Sequence, residues 1–184
     1  MGKLSNAKNH FKTITKHRHI VCGLCFKLGL YWQGMTHDLS KYQPIEFMTG
    51  VNYFAGTRSP NAMEKKDKGY SKAWLHHKGI NKHHFEYWID LHYRSTGLSG
   101  AKMPLKYLCE MVCDRIAASK VYRGSEYTDK DPLGYYDMTA QAVEPVLHPD
   151  TKVMLKKILT ICAEEGEDAA IEYMKWLLKN PSEY

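Results

Sequence analysis

The residues of this sequence best suited to chemistry are histidines and aspartates, and their spacing places several of them on buried helix faces. At about 100° per residue, side chains three, four and seven apart share a face. His17 falls on a stripe with His10, Ile14, Val21, Leu24 and Leu28, so it points inward and His19 outward. Tyr70, Ala73, Trp74 and His77 share a second face, with His76 turned toward Lys72. Phe85, Trp88, Ile89 and Leu91 define a third, joined by His84 and His92, while His83 falls nearer the polar side with Glu86 and Asp90. Tyr107, Met111, Asp114, Ala118 and Val121 form a fourth. An aspartate on an apolar face is costly unless it is paired or binds a metal. A single inward histidine is ordinarily a hydrogen-bonded core residue. His17, His77, His84 and Asp114 together, with the doublet His37-Asp38, point instead to a metal. The mixed imidazole and carboxylate donors suit manganese, iron, nickel, cobalt or zinc, as one or two ions.

The elements that must position these groups read as helices almost throughout. The periodicity predicts helices over about Ser5–Leu30, Gln33–Tyr42, Pro44–Phe54, Tyr70–Lys78, Asn81–Tyr93, Pro104–Tyr122, Asp150–Glu165 and Glu167–Lys179. Pro44 suits a first helical position, Gly79 a helix end and Asn81 an N-cap. Residues 55–69 and 123–136 read as loops. The tyrosine-rich segment 122–136 could cover the site or be plain surface. No strand pattern stands out, and there is no internal repeat. The expectation is a single all-α domain over 1–184, with a metal-site core at about 12–122 and helices within 137–184 completing the hydrophobic core.

Composition narrows the class. Hydrophobic residues make up 43% of the chain and charged residues 25%, which suits a folded globular protein rather than a disordered one. No apolar run reaches the roughly 18 residues of a membrane span. The polar, basic start lacks a signal-peptide core. A cytoplasmic protein without membrane association is expected. Cys22 and Cys25, and Cys109 and Cys113, have spacings that a zinc site could use, but both pairs lie in apolar helical stretches where a thiol packs as a small hydrophobe. The net charge of +6 arises from six Lys or Arg and no acid in residues 1–37. Lys8, Lys12 and Lys16 form one stripe, which reads either as a solvated face or as a surface for nucleic acid.

These residues carry a family resemblance. His17, His37-Asp38 and Asp114 resemble the H…HD…D pattern of the HD-domain metalloprotein superfamily. HDLSK (37–41) resembles the H-D-[IL]-[GS]-K form of many HD phosphohydrolases, and EMVCDRIAAS (110–119) the helix bearing their last aspartate. LHHKGINKHHFEYW (75–88), with its N-x-H-H-x-x-Y-W core, also resembles an uncharacterised bacterial and phage family. The resemblance spans about residues 12–122 and implies an HD-like helical bundle with His17, His37, Asp38 and Asp114 as ligands. Comparison with two-metal HD proteins implies His77 and His84 as further ligands, with His83 as a substitute. The chain lacks a G-Y-P after the histidine pair, so the substrates of the cyclic-dinucleotide branch do not carry over.

The resemblance implies a metal-dependent phosphohydrolase acting on a small anionic substrate, a nucleotide or phosphodiester. Asp38 would be a ligand and bridge, and Lys41 would neutralise the substrate phosphate. Two alternatives stand beside it: an HD-type di-iron oxygenase, and a non-enzymatic module binding nucleic acid or protein through the basic first helix. Neither a G-x-S-x-G elbow nor a G-x-x-x-x-G-K phosphate loop is present. Cys-His catalysis would need one of the apolar-helix cysteines to be exposed.

Overall fold

The helix α1 (Lys3–Lys27) forms on the expected stripe: His10, Ile14, His17, Val21, Leu24 and Cys25 are its buried residues, and Lys8, Lys12 and Lys16 are exposed. The computed structural model of the chain describes residues 2–56, 58–93 and 97–184. Met1 lies outside these, as does Thr57 of the expected 55–69 loop. The fold is all-α with one small hairpin. Gly29 ends α1 in the left-handed region at φ 74°, where the Leu30 N–H turns back to the Cys25 carbonyl, as a helix C-cap requires.

The next segment departs from the expected continuous helix over 33–42. α2 (Tyr31–Thr36) stops before the doublet, and a 3-10 turn, Leu39–Tyr42, follows it. His37 is extended (φ −49°, ψ 127°) and Asp38 left-handed (φ 53°, ψ 25°). A continuous helix would send these consecutive side chains about 100° apart. The break lets both enter the interior. α3 (Pro44–Asn52) then packs on α1 through Gly50, where an added methyl carbon would lie 1.9 Å from His10 Nε2. That close approach makes His10 a packing residue, and burial lowers its pKa to about 4, leaving it neutral.

Four other expectations are corrected. Residues 60–68 are the helix α4 (Pro60–Lys68), not loop. Ser59, Pro60 at the first turn and Gly69 at φ 78° are helix boundary signals in a polar stretch. The expected helix Asn81–Tyr93 does not form. Asn81 instead closes the end of α5 (Lys72–Ile80), donating from Nδ2 to the His77 carbonyl at 2.8 Å. A turn, a 3-10 segment (Phe85–Trp88) and strand β1 (Ile89–Leu91) follow. β1 pairs antiparallel with β2 (Leu98–Gly100), so the expectation of no strand also fails, and His92 is exposed. Only the first part of the 123–136 loop is irregular, because α7 (Asp131–Val143) begins within it.

The remaining helices follow the sequence pattern: α6 (Leu105–Arg123), α8 (Pro149–Glu165) and α9 (Glu167–Lys179). The core joins α1, α6, α8 and α9. Val21, Leu24, Leu108, Val112, Ile116, Leu155, Leu159, Ile171 and Leu177 are buried in one cluster. Among the described residues no helix is long and apolar enough to cross a membrane.

Because α8 and α9 build this cluster, Leu159→Ala is expected to cost about 2–5 kcal/mol in denaturant unfolding, whereas the exposed Val153→Ala costs under about 0.5 kcal/mol. Removing 150–184 is expected to abolish the cooperative transition.

Candidate metal centre

Six elements deliver side chains to one buried point. α1 supplies His17, the turn after α2 supplies His37 and Asp38, α5 supplies His77, the turn after α5 supplies His83 and His84, and α6 supplies Asp114 and Glu110. α3 contributes Glu46 from behind. Arg18 pins the His37-Asp38 turn onto α1, donating from Nε to the His37 carbonyl at 2.7 Å and from Nη2 to the Met35 carbonyl at 3.0 Å. Ser40 links the same turn to α5: its hydroxyl lies 3.2 Å from His77 Nδ1 and accepts from Asn81 Nδ2 at 2.9 Å.

Asp38 is fully buried and sits between two sets of histidines. Its Oδ2 is 3.7 Å from His17 Nε2 and 3.4 Å from His37 Nε2. Its Oδ1 is 3.2 Å from His77 Nε2 and 3.4 Å from His83 Nε2. Asp114 Oδ1 joins the first set, 2.9 Å from His17 Nε2 and 3.5 Å from His37 Nε2. Among the described residues three groups could hold a metal ion, His17–His37–Asp38–Asp114, Asp38–His77–His83–His84 and His37–His83–Glu110, and Asp38 belongs to the first two. The structure thus gathers every ligand expected from the sequence. It also brings in His83 on equal terms with His84: His83 is the more buried of the two, and its Nε2 faces Asp38. The helical phase that set His83 aside was wrong because residues 81–84 are a turn.

Buried carboxylates behind the ring fix which nitrogen faces inward. His37 Nδ1 lies 2.9 Å from Glu110 Oε1, and His83 Nδ1 lies 3.1 Å from the same oxygen. His77 Nδ1 and His76 Nδ1 each lie 2.7 Å from an oxygen of Glu46. Burial alone would raise both glutamates, but their histidine partners overcome it and hold both below the ordinary value. An ionised carboxylate only accepts, so Nδ1 carries the proton and Nε2 presents its lone pair to the centre. The sequence reading missed Glu46 and Glu110. The available signal was Glu110 four residues before Asp114, one turn along the same helix.

The chemistry of the cluster fits a metal. Apart from the Lys41 ammonium 2.6 Å from Asp38 Oδ2, both Asp38 oxygens and the Nε2 atoms of His77, His83 and His84 are buried and lack a hydrogen-bond partner. Buried polar groups in folded proteins are otherwise satisfied. Asp38, Asp114, Glu46 and Glu110 face a single ammonium, Lys41. Once the imidazoles are neutral, as ligation requires, four negative charges against one positive leave an excess that one or two divalent cations would neutralise. Burial would raise the Asp38 carboxyl, but charge on His37, Lys41 and His77 overcomes it and holds it well below the carboxylate range. For His37, burial pulls the ring down, yet Asp38 and Asp114 raise it well above its ordinary value. His77 is raised as well, burial being outweighed by Asp38.

The cysteines stand apart from this centre. Cys25, Cys109, Cys113 and Cys162 are buried, none belongs to a metal-ligand group among the described residues, and burial pushes the Cys109 thiol up to about 12. They pack as small hydrophobic residues. Lys41 neither pairs with Glu46 nor runs free into solvent: its Nζ lies 2.6 Å from Asp38 Oδ2. Asp114 and Lys41 are the solvent-reaching edge of the centre, with side-chain exposures of 17% and 27% against 0% for His37 and Asp38.

Fold and site together define an all-α protein with a buried histidine–carboxylate centre able to hold metal. The chain belongs to the family of unknown function DUF5662, whose model matches residues 6–161 and so takes in the whole centre. No curated protein and no solved structure matches the chain.

Elemental analysis of protein purified without added metal or a tag is expected to find a transition metal. His77→Ala and His83→Ala should remove it, Glu110→Gln should weaken it by about 10–100-fold, and the outward His19→Ala should leave it unchanged. Equal occupancy in all four variants would show that the centre is a polar core only. Metal uptake should also release protons, because the neighbouring carboxylates raise His37 and His77 above their ordinary value and a ligating ring must give up its proton. Affinity should therefore fall as pH drops, beginning above 6.5. Calorimetry in two buffers of different ionisation enthalpy measures this directly.

Proposed function

We propose that the protein is a metal-dependent phosphohydrolase of the HD type, acting on a nucleotide or phosphodiester through a dinuclear centre of manganese, iron, nickel, cobalt or zinc. The observation that carries this reading is the two-sided Asp38 carboxylate, one oxygen toward His17 and His37 and the other toward His77 and His83. Metal ions held there would polarise a phosphate oxygen and lower the pKa of water toward neutrality. The H…HD…D pattern and the HDLSK segment support the same assignment.

The protein's own groups then have distinct tasks. His17, His37, His77, His83 and His84 offer neutral nitrogen donors, and Glu46 and Glu110 hold three of the rings from behind. The left-handed Asp38, at φ 53°, is the one non-glycine residue with positive φ among the described residues. Such a conformation costs about 1–3 kcal/mol and persists where surrounding structure enforces it. Here Arg18, Ser40 and the helices around them do so.

Lys41 stands at the exposed edge beside Asp114. Burial would lower its ammonium, but Asp38 and Asp114 raise it above its ordinary value, so it stays charged. With metal held at Asp38, Lys41 would be free to turn to the solvent side and donate to a substrate phosphate. Its flexible stem and three donors suit a phosphate oxygen better than a fixed partner. The net positive charge of the chain favours capture of an anion.

Lys41→Met keeps the stem and deletes the charge. Hydrolysis of phosphate esters should fall by about 10²–10³, the scale of one preorganised electrostatic contact, with metal content unchanged on the same preparation. Full activity in this variant would remove Lys41 from the reaction. A metal-loaded wild type inert toward a broad panel of nucleotides and phosphodiesters would overturn the phosphohydrolase assignment itself.

A further inference from the structure

The outer face of α1 has no part in the metal centre. His17 and Val21 are buried, whereas Lys8, Lys12, Lys16 and His19 lie on the opposite side of the helix and are exposed. Residues 1–37 carry no Asp or Glu. Arg18 is committed to the carbonyls of His37 and Met35, and Lys27 pairs with Glu167 and Asp168. Lys8, Lys12 and Lys16 form no ion pair among the described residues. Lysines four apart on one helix stand about 6 Å from one another along the axis. Like charges so placed repel unless an anion lies across them.

A shallow groove runs along this face between two ridges, Phe11, Thr15 and His19 on one side and Lys12, Lys16 and Ile20 on the other. Aromatic pairs flank it at both ends. Phe11 is 51% exposed and meets Tyr42 edge-on, with ring centroids 5.7 Å apart. Tyr42 is held in turn: its hydroxyl lies 2.9 Å from Thr15 Oγ1, and the Arg18 guanidinium is 5.2 Å from its ring centroid. Further along, Phe26 is 42% exposed and meets Tyr31, 58% exposed, edge-on at 5.1 Å. Phe11 and Phe26 are about 22 Å apart along the helix, at 1.5 Å per residue.

A polyanion suits the lysine row, and the rings decide which. An anionic membrane needs an apolar face to enter the headgroups, but lysine and histidine occupy the middle of this one. An acidic peptide would use the charge and leave the rings idle. Duplex nucleic acid offers phosphates and keeps its bases stacked inside. A single strand offers phosphates to the lysines and unpaired bases to the rings, and stacking of this kind needs no particular sequence. The distance between the aromatic pairs takes about six nucleotides at 3.4 Å each.

We propose that the outer face of α1 binds single-stranded nucleic acid, the lysine row taking phosphates and the bases stacking on the Phe11–Tyr42 and Phe26–Tyr31 pairs. The strand lies along the groove. The surface is on the side of α1 opposite His17, so binding requires neither metal nor hydrolysis and does not rest on the phosphohydrolase reading.

The test is fluorescence anisotropy of labelled oligothymidylate and oligouridylate, each of about 12 nucleotides, with the whole chain as purified. Both should bind, and more tightly than the same strands annealed to their complements. With three phosphates neutralised, the salt slope should be about −2, a loss of roughly 20-fold in affinity between about 50 and 200 mM salt. Lys12→Ala with Lys16→Ala should flatten the slope to about −0.7. Lys156→Ala with Lys157→Ala removes the same charge from exposed positions on α8 and should leave the slope unchanged. Phe11→Leu and Phe26→Leu keep apolar bulk without an aromatic face and should each weaken binding about fivefold or more, and Phe11→Tyr should restore it. Absence of binding at about 50 mM salt overturns the proposal. So do duplexes that bind as tightly as single strands, an equal loss in the α8 variant, or full affinity in both leucine variants. Phosphatidylserine vesicles that displace the strand would mark a lipid-binding face and overturn it as well.

Discussion

One buried carboxylate organises this molecule. Asp38 is without solvent exposure, is met by the Lys41 ammonium at one oxygen, and stands between two histidine sets. An ionised carboxylate in such a place is far too costly to leave uncompensated. Its surroundings answer in two ways: an ammonium, Lys41, at the outer edge, and a ring of imidazoles whose lone pairs converge on it. The ammonium, together with His37 and His77, compensates the charge in the metal-free protein. The imidazoles add donors for a cation.

The rest of the architecture holds those donors in place. α1 and α6 form the spine and bring His17 and Asp114 together at 2.9 Å. Behind the imidazoles, Glu110 binds His37 and His83, and Glu46 binds His76 and His77. Each glutamate thereby ties together elements distant in the chain, α6 to the doublet turn and the 83–84 turn, α3 to α5. A carboxylate that fixes two rings couples their orientations, so the two halves of the centre are not independent. α8 and α9 lie on the far side of α6 and supply apolar burial rather than chemistry.

The exposed edge is where function can vary. Asp114 and Lys41 reach solvent, whereas His37, Asp38, His77 and His83 do not. A ligand reaching the centre would therefore meet Asp114 and Lys41 first. This confines metal holding to a closed interior and leaves selection of the ligand to the residues at its rim.

Much of this was legible in the residues alone. The stripes on α1, α6, α8 and α9 followed helical periodicity, because long amphipathic helices announce their buried face within a few turns. His17, His77 and Asp114 were found by the same logic. The errors came where helical phase does not apply. Residues 81–84 are a turn, so His83 reaches Asp38 although a helix would have turned it outward. α4 was hidden by its polar composition despite Ser59, Pro60 and Gly69, and the 89–91 and 98–100 strands are too short to show alternation. By itself the sequence determined that the chain is helical and that histidines and aspartates would be buried, since periodicity is a local property. Only the tertiary structure decided that Asp38 faces both histidine sets and that Glu46 and Glu110 stand behind the rings, because each of these depends on contacts between residues far apart in the chain.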